Sequence, residues 1–281
     1  MKIHQPYGLE DCLTLLSELP PDATVILAGG TDLMPRYEQG RILPNNLINI
    51  KHLTELQGIT ETENGIEIGG LTTIEALQHS DLIRQEYPAL WRSTAQFAGV
   101  QIRNRATLAG NIANASPAGD TLPSLYLYHA KLKLVSRHAS RTTRLEDFLV
   151  GPGQTTQEPG ELIQSIILPK VSGSSCFYKL GLRDAMAISV VNYALRYSNA
   201  EDGELTDLEI TAGAVAPTIV FLDALTTAIL GGETNIAAWQ ALIEQDIAPI
   251  DDIRASADYR RKVLGRLISH HLQRLGVGSH E

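Results

Sequence analysis

Apolar residues along the chain switch several times between helical and strand-like spacing. Residues 8–19 carry leucines three and four positions apart, which predicts an amphipathic helix that ends at Pro20-Pro21. Residues 24–28 form a short apolar run and residues 65–69 alternate with a period of two, so both predict strands. The same criteria predict strands at 47–50 and 131–135, and helices near 73–79, 88–98 and 122–130.

The pattern changes after the small-residue stretch 172–175. Before it, residues 161–168 form an apolar run that predicts a strand closed by Pro169. After it come predicted strands at 176–180, 188–197 and 207–215, then predicted helices at 221–230, 235–245 and 255–275. Strands followed by helices indicate an α+β unit, so we place a domain boundary near residue 171.

Residues 99–119 show no periodicity, which predicts a long ordered loop, and loops of that length are usually functional. This loop lies within one of two segments, 27–33 and 101–120, that are rich in Gly, Ala, Thr, Ser and Asn. Segments with so few bulky side chains leave backbone N–H groups uncovered, and arrays of N–H groups bind phosphate. Together the two segments predict a cradle for one long anionic ligand.

The first segment follows a predicted strand directly. Gly29-Gly30 permits a positive φ and the close approach of a ligand, Thr31 offers a hydroxyl donor, and Asp32 could cap a following helix. The segment has neither the GxGxxG of a dinucleotide-binding fold nor the GxxxxGK of a P-loop. A tight strand-to-helix turn explains it equally well.

The second segment combines charge with polar side chains. Arg103 and Arg105 precede the small residues, and polar side chains within the run can bond a backbone that is otherwise unpaired: Asn111, Asn114 and Ser116. Asp120 stands at the start of a predicted helix, so its carboxylate either caps that helix or accepts hydrogen bonds from ribose hydroxyls.

Composition narrows the choice of partners. The 281 residues are 43% hydrophobic and 20% charged, with a net charge of −9 and no run of five basic residues, which argues against nucleic acid and anionic membranes. No apolar stretch reaches the roughly 18 residues of a membrane span, and Met1–Pro6 lacks a signal-peptide core, so we expect a cytoplasmic protein.

Cysteine and histidine usage argues against a metal site in this chain. Two cysteines, Cys12 and Cys176, cannot ligate an iron–sulfur cluster by themselves, and a disulfide is not expected in a reducing compartment. The neighbouring His270 and His271 on a predicted helix point in different directions. We therefore predict no metal ligands.

The motifs together resemble a known family. The chain reads AGGTDL at 28–33 and QIRNRATLAGNIANASPAGD at 101–120, and further matches follow in order at 178–192, 212–217 and 256–261. These segments resemble the FAD-binding subunit of molybdenum hydroxylases, such as the flavoprotein subunits of xanthine dehydrogenase and carbon monoxide dehydrogenase.

The resemblance implies an α+β fold. Residues 1–171 would form a vanillyl-alcohol-oxidase-like (PCMH-type) FAD-binding domain, with subdomains at about 1–55 and 56–171. Residues 172–281 would form a small α+β C-terminal domain, like that of the carbon monoxide dehydrogenase flavoprotein, with a three-stranded sheet and helices.

The resemblance also implies the cofactor, FAD, and the residues that hold it. Asp120 would lie near the ribose, Ile163 would contact the adenine side, and Lys179 would approach the flavin, although a solvated strand lysine is the alternative. Position 109 departs from the family, because Ala stands where a Gly is usual, which is tolerable only at negative φ. The residues expected to hold the pyrophosphate are Leu27, Ala28, Gly29, Gly30, Thr31, Asp32, Leu33, Thr107, Leu108, Ala109, Gly110 and Asn111.

The implied function is electron transfer within a larger oxidoreductase. A [2Fe-2S] subunit and a molybdopterin subunit would be partners in a dimerised complex that oxidises a purine, another heterocycle or an aldehyde. This chain would pass electrons to NAD or another acceptor, and it would contain no catalytic residue. With two cysteines it lacks the extra cluster of the 4-hydroxybenzoyl-CoA reductase branch. The alternatives are a stand-alone FAD-dependent oxidoreductase and a scaffold or assembly subunit.

Overall fold

A computed structural model describes residues 1–183, 186–201 and 204–277. Two positions of the motif at 178–192, Asp184 and Ala185, therefore lie outside the described residues. Contacts between Cα atoms divide the chain into two units, each made of three segments. The first unit comprises 1–79, 99–115 and 129–170, and the second comprises 80–98, 116–128 and 171–281.

Short helices and strands alternate along the chain. The helices, numbered in chain order, are α1 (Leu9–Glu18), α2 (Leu33–Glu38), α3 (Ile74–Gln78), α4 (Asp81–Glu86), α5 (Pro88–Ala95), α6 (Val100–Arg103), α7 (Leu108–Ala113), α8 (Leu122–Leu127), α9 (Leu145–Phe148), α10 (Asp223–Leu230), α11 (Ile236–Asp246) and α12 (Ala257–Arg274). No helix within the described ranges is both long and apolar enough to cross a membrane.

The strands are numbered in the same way. They are β1 (Lys2–His4), β2 (Thr24–Leu27), β3 (Asn46–Asn49), β4 (Ile59–Thr62), β5 (Gly65–Gly69), β6 (Lys131–Val135), β7 (Ser140–Arg144), β8 (Leu149–Gly151), β9 (Gln154–Thr155), β10 (Leu162–Pro169), β11 (Ser174–Gly181), β12 (Ser189–Asn199), β13 (Leu205–Gly213) and β14 (Val220–Phe221).

The first unit contains two main sheets. One is a parallel three-stranded sheet in the order β1-β3-β2, and the other is an antiparallel five-stranded sheet in the order β4-β5-β10-β6-β7. Cys12 of α1 is fully buried with Ile48 and Ile50, so the apolar stripe of α1 covers the parallel sheet. This packing holds the end of β2, and the first small-residue segment that follows it, in place.

The second unit is built on the antiparallel sheet β11-β12-β13-β14. Tyr193 and Leu195 of β12 belong to a core shared with α10, α11 and α12, whereas Thr211 of β13 turns to α8, where its hydroxyl donates to the Pro123 carbonyl over 2.8 Å. Helices therefore cover both faces of this sheet. The two-residue strand β14 adds to the three strands predicted from the sequence.

One sequence-based expectation about local structure is wrong. Residues 99–119 are not a loop, because α6 and α7 lie within them. Each helix has only four to six residues, too few to show an apolar stripe of helical period. The helix start is marked instead by Thr107, whose hydroxyl accepts a hydrogen bond from the Gly110 amide at 3.1 Å.

Candidate functional site

The turn after β2 requires its two glycines. Gly30 has φ = +77°, as expected from the sequence, and this region is open mainly to glycine. A Cβ on Gly29 would collide with the backbone carbonyl of Arg105. The turn therefore lies directly against the second small-residue segment, within the same unit.

The amides of this turn are available to a ligand. Among the described residues, the N–H groups of Gly29, Gly30, Thr31 and Asp32 donate to no protein group. Consecutive amides of this kind form an anion-binding concavity. Asp32 is the N-cap residue of α2, but its side chain makes no capping bond and lies 3.4 Å from Arg36.

Two cations accompany these amides. The Lys51 ammonium lies 3.7 Å from the position of a Cβ on Gly30, and burial and the charge of Arg105 lower the pKa of Lys51. Neither Lys51 nor Arg105 pairs with a carboxylate in the part of the chain that the structure describes. Arg103, by contrast, is held by Glu75 at 2.7 Å. Sequence reasoning missed Lys51, because no motif marks it.

The second segment contributes in a different way from that expected. Three of its amides donate to backbone carbonyls: Leu108 to Thr72, Ala109 to Gly70 and Asn111 to Thr107. The expectation that its backbone N–H groups are uncovered is therefore wrong in this structure. What the segment presents instead is a surface of small side chains.

Ala109 fits the fold without strain. It lies within α7, so its φ is negative, as the departure from the family pattern requires. Its methyl group lies 3.3 Å from the position of a Cβ on Gly70. A glycine at position 109 would permit a close approach of the two backbones. Here Gly70, directly after β5, permits that approach instead.

A cleft in the first unit brings several predicted residues together. Its volume is about 560 Å³, within the usual range for small-molecule sites. The predicted cofactor residues that line it are Ala28, Leu33, Ala109, Gly110 and Ile163. Ala113, Glu161 and Leu162 also line it, and Arg141 holds the Glu161 carboxylate at 2.6 Å. The predicted residues that do not line it are Leu27, Gly29, Gly30, Thr31, Asp32, Thr107, Leu108 and Asn111.

The remaining two predicted residues pair with each other in the second unit. The Lys179 ammonium lies 2.6 Å from Oδ2 of Asp120 and also donates to the Gln96 carbonyl at 3.0 Å. Both side chains are nearly buried, at 6% and 9% exposure. Lys179 is therefore not a solvated strand lysine. Asp120 is not the helix cap either, because Thr121 occupies the N-cap position of α8.

Two residues of β12 complete the surroundings of Asp120. Its Oδ1 accepts from the Ser189 hydroxyl at 2.7 Å and from the Asn192 amide at 3.4 Å. Burial raises the pKa of Asp120, while Lys179 and these two hydrogen bonds oppose the rise. A carboxylate has about four acceptor positions, so the three donors found among the described residues leave one free. The signal in the sequence is two polar residues in the otherwise apolar first part of β12, residues 189–195.

Comparison with protein families assigns both parts of the chain. Residues 1–171 match the model of the FAD-binding domain in molybdopterin dehydrogenase, and residues 176–275 match the C-terminal domain of the CO dehydrogenase flavoprotein. The xanthine dehydrogenase FAD-binding subunit of Escherichia coli O157:H7 is 31% identical over 264 residues, which cover 92% of this chain and 89% of the relative.

Carbon monoxide dehydrogenases are similar in sequence and in structure. The medium chain from Afipia carboxidovorans is 29% identical over 280 residues, covering 96% of this chain and 95% of the relative. A chain of the reconstituted CO dehydrogenase from Oligotropha carboxidovorans superposes with a TM-score of 0.91 at 27% identity, over 99% of this chain and 98% of that chain. The chain belongs to the FAD-binding subunits of the molybdopterin-dependent dehydrogenases, a family of oxidoreductases.

Proposed function

We propose that this chain is the electron-transfer subunit of a molybdenum hydroxylase. It would receive electrons from a [2Fe-2S] subunit and deliver them to a terminal acceptor such as NAD, while a molybdopterin subunit oxidises a purine, another heterocycle or an aldehyde. The observation that carries the proposal is the row of unpaired amides at Gly29–Asp32 beside Lys51. Bound flavin supplies the redox chemistry, and the protein supplies position and electrostatics.

In this proposal the first unit holds the adenine and pyrophosphate parts of FAD. The segment 27–33 binds the pyrophosphate through its amides, and Lys51 and Arg105 balance its charge. The segment 107–111 forms a wall of small side chains, and Ile163 contacts the adenine side. The cleft of about 560 Å³ supports this arrangement, since it is lined by Ala28 and Leu33, which flank the unpaired amides, and by Ala109, Gly110 and Ile163.

In the same proposal the Asp120–Lys179 pair binds the ribose and the flavin. We assign the remaining acceptor position of Asp120 to a ribose hydroxyl of FAD. Lys179 uses two of its three N–H donors on Asp120 and Gln96, which leaves one for the flavin. Its positive charge would favour the negative charge of reduced flavin, so Lys179 would tune the cofactor rather than react with it.

In this proposal a partner subunit supplies the iron–sulfur cluster. Burial raises the pKa of both thiols, Cys12 and Cys176, to about 12, so neither is a ready thiolate ligand. Across the ranges that the structure covers, no three metal-ligating side chains come together. We further propose that the chain works in a dimerised heteromeric complex in the cytoplasm, in which its domains 1–171 and 172–281 carry the FAD.

Filling the cleft tests the assignment of the FAD site. Ala113 is exposed at the end of α7 and lines the cleft, so Ala113→Phe should block FAD without disturbing the core. Ala76→Phe is the matched control, because Ala76 is exposed on α3 in the same unit and lies outside the cleft. Flavin absorbance per protein should fall at least about tenfold only in the first variant. Equal FAD content in both would refute the assignment.

Purification of the tagged chain from its native host tests the electron-transfer role. We expect a [2Fe-2S] protein and a molybdenum-containing protein to co-purify, and substrate oxidation to require all three. A flavoprotein that turns over its own substrate with no partner would instead establish a stand-alone oxidoreductase. A complex that is active without FAD would establish a scaffold.

A further inference from the structure

A second pocket lies within the second unit, between the edge strand β11 and the end of α12. Its volume is about 500 Å³. Arg92 of α5 and Arg274 of α12 line it together with the histidine pair, His270 and His271. The assigned cofactor residues are not among those that line it, so this pocket is not explained by the function proposed above.

The lining of this pocket is basic. No carboxylate is among the described residues that line it, although the whole chain carries a net charge of −9. Neither Arg92 nor Arg274 has a hydrogen-bond or ion-pair partner among the residues described. The charges of both arginines act on His271, whose pKa is lowered by burial first and then by Arg274, Arg92 and His270. Unpaired guanidinium groups that converge in this way favour an anion.

The floor of the pocket is neutral and polar. His271 lies 3.1 Å from the Tyr193 hydroxyl through Nδ1 and 3.4 Å from the Cys176 sulfur through Nε2. Burial raises the pKa of Cys176 to about 12, so the thiol stays protonated at neutral pH. A protonated thiol is a poor nucleophile, so these residues favour binding over covalent catalysis.

One side of the pocket offers flat apolar surface. Tyr178 and Tyr193 face each other across β11 and β12, with ring centroids 5.7 Å apart and an interplanar angle of 28°. Tyr178 remains 40% exposed, and Leu267 and Leu275 of the α12 end add aliphatic surface. A planar group can therefore pack here while an attached anion reaches the arginines.

We propose that this pocket binds a small organic anion of the nucleotide class, with its phosphate groups on Arg92 and Arg274 and its planar base against Tyr178. The size of the pocket suits such a ligand rather than a bare ion, since sites for small molecules span roughly 300–1,000 Å³. The proposal does not depend on which acceptor the flavin reduces.

Calorimetric titration of the FAD-loaded full chain with ADP tests the proposal. We expect saturable binding of one ADP, weakened at least about tenfold in Arg92→Gln and in Arg274→Gln, because each loses a charge-assisted contact. Arg266→Gln is the matched control, since Arg266 is exposed on α12, the helix of Arg274, and lies outside the pocket. Adenosine and inorganic pyrophosphate should each bind more weakly than ADP.

Four results would overturn the proposal. One is the absence of saturable ADP binding, and another is binding that is the same in Arg92→Gln as in the unmodified chain. The third is release of FAD during the titration, seen as a change in flavin absorbance, because ADP would then occupy the cofactor site. If ADP binds the chain alone but not its native complex, the pocket is an interface for an acidic partner segment and the nucleotide assignment is wrong.

Discussion

The Lys179 ammonium and the Asp120 carboxylate, 59 residues apart in sequence, form a nearly buried ion pair with a separation of 2.6 Å. The pair ties β11 to the segment that precedes α8, and Ser189 and Asn192 hold its acidic member from β12. A buried charge is costly without its partner, so the two residues depend on each other.

The first prediction is that the pair shows strong coupling in a double-mutant cycle. Lys179→Met alone should lower the free energy of unfolding by about 3–5 kcal/mol, because Asp120 is left buried without its cation. The double variant Asp120→Asn/Lys179→Met should be more stable than Lys179→Met. Urea denaturation measures each value. If the effects of the single variants Asp120→Asn and Lys179→Met add up to the effect of the double variant, the two residues do not interact.

The second prediction concerns Lys51 and the cofactor. Lys51→Gln should weaken FAD binding about tenfold, because a charge-assisted contact to the pyrophosphate is worth about 1.5–3 kcal/mol. Lys131→Gln provides the control, since Lys131 is exposed on β6, in the five-stranded sheet, whereas the turn at Gly29–Asp32 follows β2 of the three-stranded sheet. Fluorescence titration of the FAD-free protein gives both affinities. An unchanged affinity in Lys51→Gln would place the pyrophosphate elsewhere.

The third prediction is that the free energy of unfolding depends on pH through the ionisation of Glu161. The hydrogen bond from Arg141 lowers the pKa of Glu161 below its ordinary value. The resulting stabilisation is complete above the pKa of the unfolded residue, about 4.3, and is lost as pH falls through the lower folded value. Arg141 is 37% exposed, so solvent screening limits the effect to about 1 kcal/mol.

The variant Glu161→Gln isolates this effect. The difference in unfolding free energy between the two proteins should be largest at pH 7 and should shrink toward pH 3. Denaturation at both pH values measures it. A difference that grows in acid would mean that Glu161 is protonated in the folded state at neutral pH.

The fourth prediction concerns Arg260, which is 1% exposed in the core of the second unit. Its guanidinium pairs with Asp252 at 2.7 Å and donates to the carbonyls of Val190 and Ala214. Arg260→Met should therefore cost about 3–5 kcal/mol, because the two buried carbonyls lose this donor, while Asp252 keeps its pair with Arg254. Arg266→Met, at an exposed position on the same helix, should change stability by less than about 0.5 kcal/mol. Thermal unfolding compares the two.

The fifth prediction tests the helical position of Ala109. Ala109→Gly restores the usual family residue, yet it should lower stability by about 0.5–1 kcal/mol, because glycine in a helix interior loses more conformational entropy on folding. Urea denaturation measures the change. A stabilised variant would indicate a strained backbone at this position.

The elements that the sequence predicted are those with a regular apolar period. The strand at 65–69 and the long C-terminal helix were predicted because burial on one face imposes spacing on many residues. The helix predicted at 255–275 shows such spacing, since Leu264, Ile268 and Leu272 of α12 are fully buried and Leu267 and Leu275 are partly buried. The helices at 100–103 and 108–113 span too few residues for any period to appear.

The residues of the site also divide into those that a local sequence pattern marks and those that only tertiary packing brings together. Gly30 could be predicted from the sequence because a glycine directly after a buried strand indicates a turn with a positive φ, and Gly30 has that φ. The convergence of Ala109 and Ile163 on one cleft, and the role of Lys51, depend on tertiary packing that no local pattern encodes. Pairing of Asp120 with Lys179 is equally non-local: the sequence marks Asp120 by its place before a predicted helix, but it indicates Lys179 only through the resemblance to a family.

The division of each unit into three segments sets an order on folding during synthesis. Helices α5 and α8 bury their apolar residues against β11, β12 and β13, which leave the ribosome much later. Until residue 213 has emerged, Leu90 and the apolar face of α8 have no sheet to cover them. The nascent chain therefore exposes apolar surface while about 100 further residues are translated. At 5–20 residues per second this takes roughly 5–20 s. Chaperone binding during this interval would target α5 and α8.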